Sequence, residues 1–228
     1  MQKPPFESME QMAEFTAGAL SEACSHSAFA LFQETPFRRE AGFDRINQQE
    51  QDRIFNELVV AHLVLIMLLL EAPDLRVDED FRGYFKILNQ HIPKAYGQQL
   101  KKLGVEGDYL KDWEKLISLR YEEYARDRHE VRSAAMQLES AEKPLDLQDL
   151  SKIQLLLPAQ TVAIGCHHHI CRGKTEGRDE LFKIQLESLS KFYVQFRVHF
   201  EGGKITPLTR AKVALKQVIR RKKKKRRK

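Results

Sequence analysis

With 228 residues, 42% of them hydrophobic, the chain is long enough to fill a core of its own, so folding needs no disulfide or metal scaffold. Aromatic residues at 9%, with 11 Gly and 8 Pro, exclude collagen-like, low-complexity and wholly disordered classes. Three cysteines cannot complete a disulfide framework and point to a reducing compartment.

The formal charge of +6 hides two unlike regions. Thirteen of the 38 Lys and Arg residues fall in 204–228, which has no Asp or Glu; residues 1–203 hold the other 25 against all 32 acidic residues, a charge of −7. A basic pI therefore describes an acidic helical body, 1–203, joined to a basic helix and polybasic tail, 204–228. Such asymmetry assigns contact with a polyanion to the tail.

In chain order, a first helix is expected from Ser8 to about Phe32, followed by a loop over 35–46 punctuated by Pro36 and Gly42. Asn47 is a good N-cap for a second helix that must end before Pro73. Its run Leu58 to Leu70 is interrupted only by His62 and closed by Glu57 and Glu71. That is shorter than the roughly 20 apolar residues a bilayer core requires, so no transmembrane segment is expected. A helix apolar on every face belongs at the centre of a bundle.

Asp78 caps a third helix, which Pro93 should kink or split and Gly104 should end. A fourth begins after Asp108: Leu110, Ile117, Tyr124, Val131 and Leu138 recur every seven residues, with Arg120 and Asp127 interrupting the other column. That seam predicts antiparallel packing against a neighbour. After Lys143-Pro144, a short helix over 147–157 should give way to another opened by Pro158 and closed at Gly173. Residues 179–200 carry two signals. Phe182, Leu186, Leu189, Tyr193, Phe196 and Phe200 form a helical stripe, whereas Phe192, Val194, Phe196, Val198 and Phe200 alternate as in a strand. Helix is favoured because no second run could pair with the strand; a β-hairpin near 191–206 is the alternative. Thr206-Pro207 then opens a last helix. The fold class is all-α, a bundle of about six to eight helices.

Imidazole and thiolate crowd together at Cys166, His167, His168, His169 and Cys171. These are ligand types for zinc, and helical spacing pairs Cys166 with His169, His167 with Cys171 and His168 with Cys171. Each pair supplies two ligands where a structural site needs four, so Cys166, His167, His169 and Cys171 are weak metal candidates. The alternative has Cys166 and Ile170 packed inward and the histidines at a helix C-terminus, where they are favourable. No histidine follows a Glu by three positions, so the di-iron bundle motif is absent. His-Glu-x-x-His and phosphate-cradling loops are absent too. Glu123, Asp127 and Glu130 share a helix face, but interleaved arginines favour an ion-paired surface over acid–base chemistry. His62 reads as a core histidine with a hydrogen-bond partner. No catalytic residue and no cofactor is assigned.

The run Arg220, Arg221, Lys222, Lys223, Lys224, Lys225, Arg226, Arg227, Lys228 is wholly cationic and should not fold alone. Upstream, Leu208, Ala211, Leu215 and Val218 line one side of the last helix, with Arg210, Lys212 and Lys216 elsewhere on it. Phosphate contacts without base stacking would be sequence-tolerant. The absence of Trp, Phe and Tyr from 204–228 makes an anionic membrane surface the weaker partner. The expectation is a non-enzymatic protein binding nucleic acid or another polyanion through this segment, cytoplasmic, or nuclear in a eukaryote. The alternatives are a metal-binding enzyme or sensor built on the Cys166–Cys171 segment, and an interaction module or homo-oligomer using apolar surfaces around 54–70.

Overall fold

The computed structural model describes residues 8–142 and 144–203. Among them there are seven helices and no strand: α1 Met9–Gln33, α2 Thr35–Glu40, α3 Gln48–Leu70, α4 Glu79–Lys102, α5 Gly107–Glu142, α6 Leu147–Ile170 and α7 Asp179–Phe200. The last helix and the polybasic run expected beyond Lys204 lie outside the described residues.

Local chemistry starts the helices where the sequence places them. Ser8 Oγ accepts from the Gln11 N–H at 3.2 Å, and Asn47 Oδ1 accepts from the Glu50 N–H at 2.9 Å. Asp146 and Asp149 form a reciprocal capping box for α6. Every residue of α3 from Glu57 to Leu70 is buried, and α3 meets α1, α4, α5, α6 and α7. It is the central helix. By length and composition α3 could cross a bilayer, yet 83% of its most apolar window is enclosed by the protein itself. The apolar residues around 54–70 expected on an interaction surface are thus turned inward, apart from the half-buried Phe55.

Four expectations are corrected. Residues 35–40 are helical, not loop: Pro36 lies in the first turn of α2, where its missing N–H is no loss, and Phe37 is fully buried. Pro93 does not split α4. Leu88, Ile92, Ala95 and Tyr96 are buried on both sides of it, and their burial together outweighs the roughly 3 kcal/mol a helical proline costs. Pro158 likewise lies inside one continuous α6, between the buried Leu157 and Ala159. The β-hairpin is absent over its described part, because α7 runs unbroken to Phe200.

The fully buried residues of α7 are Leu181, Gln185, Leu189, Phe192, Tyr193 and Arg197. The other expected stripe residues, Phe182, Leu186, Phe196 and Phe200, pack partly buried against the core, so the buried face is wider than expected and includes a glutamine and an arginine. The seven-residue seam of α5 is buried only at Ile117 and Tyr124. No residue from 125 to 141 is buried, and Leu138 is 74% exposed.

His62 packs at the centre. Its Nδ1–H donates to the Leu58 carbonyl at 2.7 Å, while Nε2 has no partner and the ring meets Phe192 edge-on at 4.8 Å. Burial pushes its pKa down from 6.5 to about 4, against the opposing pull of the Leu58 carbonyl. Between these values the unfolded chain binds a proton that the folded one refuses. Stability should therefore fall as pH drops from 6.5 to 4 and level off below, with a total of about 3 kcal/mol from this group. His62→Leu should flatten that part of the pH profile in urea titrations at pH 7, 5.5 and 4.5. An unchanged slope would show that other groups set the acid sensitivity.

Candidate functional site

The densest polar cluster lies where the C-terminus of α6 meets α3 and α5. The last carbonyls of a helix have no partners within it, and here Arg53 supplies them: Nη1 donates to His169 O at 2.9 Å and Nη2 to Ile170 O at 2.8 Å. The other edge of Arg53 grips Glu50 at 2.7 Å, and Arg172 reaches the same carboxylate at 2.6 Å. Hydrogen bonds from Arg53 and then Arg172 hold the Glu50 carboxyl down at about 2. Arg172 is the one non-glycine residue with positive φ (52°) among those described. It occupies the left-handed position of a Schellman turn closed by the Gly173 N–H on His168 O at 2.9 Å.

A second chain of charges crosses beneath. Arg120 of α5 donates to both oxygens of the buried Glu57, at 2.9 and 3.2 Å, and to Glu123 at 3.2 Å. Glu123 accepts in turn from His169 Nε2 at 2.8 Å, which places a proton on that nitrogen. Burial alone would push the Arg120 pKa down; the Glu57 hydrogen bond and charge hold it above the ordinary value. Between the two chains is a cleft of about 310 Å³ lined by Arg53, Arg120, His168, His169 and Arg172.

Three guanidiniums face three carboxylates here, and every nitrogen of Arg53 and Arg120 already donates. No uncompensated charge is left to attract an anion or a metal. What the arrangement does is lock three helices together. Sequence reasoning missed Arg53, Arg172 and the Glu57–Arg120 pair. Arg120 standing in an apolar column of α5 was the available signal.

The metal candidates separate. Cys166 points toward α3, its Sγ 3.9 Å from Glu57 O. His169 faces Glu123 on α5. His167 turns to α7, with Nδ1 donating to Gln185 Oε1 at 3.2 Å, and touches Cys171 Sγ at 3.9 Å. The expected His167–Cys171 pairing is present, but the other two residues lie on different faces. Among the described residues no three His, Cys, Asp or Glu side chains gather as a metal site. Burial raises the Cys24, Cys166 and Cys171 thiols, away from the thiolate that ligates or attacks. Asp127 pairs with Arg126 at 3.2 Å, as expected of an ion-paired surface. Comparisons of the chain with known protein families, with curated proteins and with solved structures find no match.

Proposed function

We propose that this chain is a non-enzymatic helical protein that binds a polyanion, nucleic acid foremost, through its basic C-terminal segment and without base specificity. The observation that carries the reading is the segregation of charge: thirteen cations and no anion over 204–228 against a body of −7. The body offers no competing cationic face at its densest polar cluster, whose charges cancel. An acidic body repels a polyanion, so attraction belongs to Arg210, Lys212, Lys216 and the run 220–228.

The test is binding to single-stranded and duplex oligonucleotides across a salt series, with the full chain and with a deletion of 220–228. Nine cations on phosphates should give a slope of log affinity against log salt of about −6 to −8. The deletion should flatten it and weaken binding by about 10³-fold or more at low salt. Equal affinity for unrelated sequences is expected. Undiminished binding by the deletion would overturn the proposal, as would preference for phosphatidylserine vesicles over nucleic acid at equal salt.

A further inference from the structure

At the end of the body remote from the ion-paired cluster, α4 and α7 leave an open groove of about 590 Å³ between them. Its floor is aromatic: Phe85 meets Phe200 at 5.4 Å and Phe81 at 6.4 Å. Phe81 is 50% exposed, and nothing among the described residues covers it fully. Val77 and Tyr84 complete the apolar lining. On the rim, Asp78 caps α4 without making a side-chain cap hydrogen bond, and Glu79 is exposed beside it. Arg76 is the opposing cation; Glu201 is committed to Arg197 at 3.0 Å.

The chain leaves α7 from the wall of this groove. Phe200 and Glu201 line it. Gly202, at φ 72°, then turns the backbone over so that the Gly203 N–H donates to Val198 O at 2.8 Å. This is a Schellman reversal, which sends the chain back across the helix end. Five residues on is Leu208, within about 18 Å of Gly203 at full extension. Residues 205–219 carry the apolar stripe Leu208, Ala211, Leu215 and Val218, and no acidic residue.

We propose that residues 205–219 of the same chain dock on this groove, the apolar stripe on Phe81, Phe85 and Phe200 and, when no polyanion competes for them, Lys212 and Lys216 toward Asp78 and Glu79. The short tether makes the local concentration of the segment about millimolar, so a weak apolar contact suffices. The stripe is then covered while Arg210 and the run 220–228 stay outward. A half-exposed Phe81 on an aromatic floor that is otherwise buried or half-buried, an N-cap carboxylate without its cap bond and a tether rooted in the groove wall together select this occupant over a second copy.

The test is independent of polyanion binding. In the full chain, Phe81→p-benzoyl-phenylalanine should photo-cross-link within one molecule to peptides from 205–219, at low protein concentration with no polyanion present. Leu208→Asp combined with Leu215→Asp should cut the yield about tenfold, because the buried stripe would become ionic. The same photoreactive residue at Phe29, which faces Phe55 at the other end of α3, should give no such product. Absence of the 205–219 product, cross-links only between copies, or equal yield from position 29 or from the double Asp variant would each overturn the proposal. A chain that cross-links as expected yet ignores oligonucleotides would retain the groove assignment and lose the polyanion one.

Discussion

Gly165→Ala should lower the melting temperature by about 6–12 °C, equivalent to a loss of about 3 kcal/mol in a chain of this size. Exchanging a mid-helix glycine for alanine ordinarily stabilises by about 1 kcal/mol, so the sign itself is the test. A Cβ on Gly165 of α6 would sit 2.6 Å from Tyr124 Cδ1 of α5 and closer still to Cε1. The obstacle is a ring, not the movable end of a flexible chain, and Tyr124 is fully buried with its hydroxyl unpartnered. The ring therefore has nowhere to go without parting α5 from α6. A double-mutant cycle with Tyr124→Leu, which vacates the space, should show a coupling of about 1–3 kcal/mol that favours the pair. Melts showing Gly165→Ala as stable as the parent would mean that the two helices do not approach this closely.

Arg120→Met should destabilise the protein by about 3–5 kcal/mol in urea titrations at pH 7. Removing the guanidinium strands Glu57 among apolar neighbours on α3 and takes a partner from Glu123. Most of the loss is the cost of a buried carboxylate left alone, so adding Glu57→Gln should recover a large part of it. Salt should change the effect little, because the pair is shielded from solvent. The exposed Lys191–Glu187 pair, at 2.9 Å, gives the contrast: Lys191→Met should cost less than about 1 kcal/mol. A loss of that small size for Arg120→Met would remove Glu57–Arg120 as the joint between α3 and α5.

Most helices were legible because their signals are local. Ser8, Asn47 and Asp78 sit at observed N-caps, and the apolar run of α3 needs no neighbour to declare itself buried. Prolines misled in both directions. Pro36 starts a helix where a loop was expected, and Pro158 passes through one where a start was expected. A proline's local cost is fixed, but whether a helix continues depends on what is buried on each side. The α7 stripe was right in period and incomplete in content: all its residues pack on the core, but Gln185 and Arg197 are inside as well because His167 on α6 and Asp74 after α3 await them. The α5 seam extends beyond its burial, since periodicity says which residues share a face and not how far the neighbours reach.

The candidate cluster was the least legible part. The consecutive histidines drew attention to α6, while the residues that organise its C-terminus come from elsewhere: Arg53 lies 116 positions from His169, and Glu57 lies 63 from Arg120. By itself the sequence determined an all-helical body with α3 at its heart, and an uneven charge along the chain, because helix period, capping and charge count are properties of neighbouring residues. Tertiary structure alone decided which ions meet, that Cys166, His167 and His169 of α6 face apart, and that Phe81 stays half-exposed in the groove beside the end of α7. Those outcomes are set by the crossing of helices distant in the chain, where side-chain volume and the cost of an unpaired buried charge choose the partners.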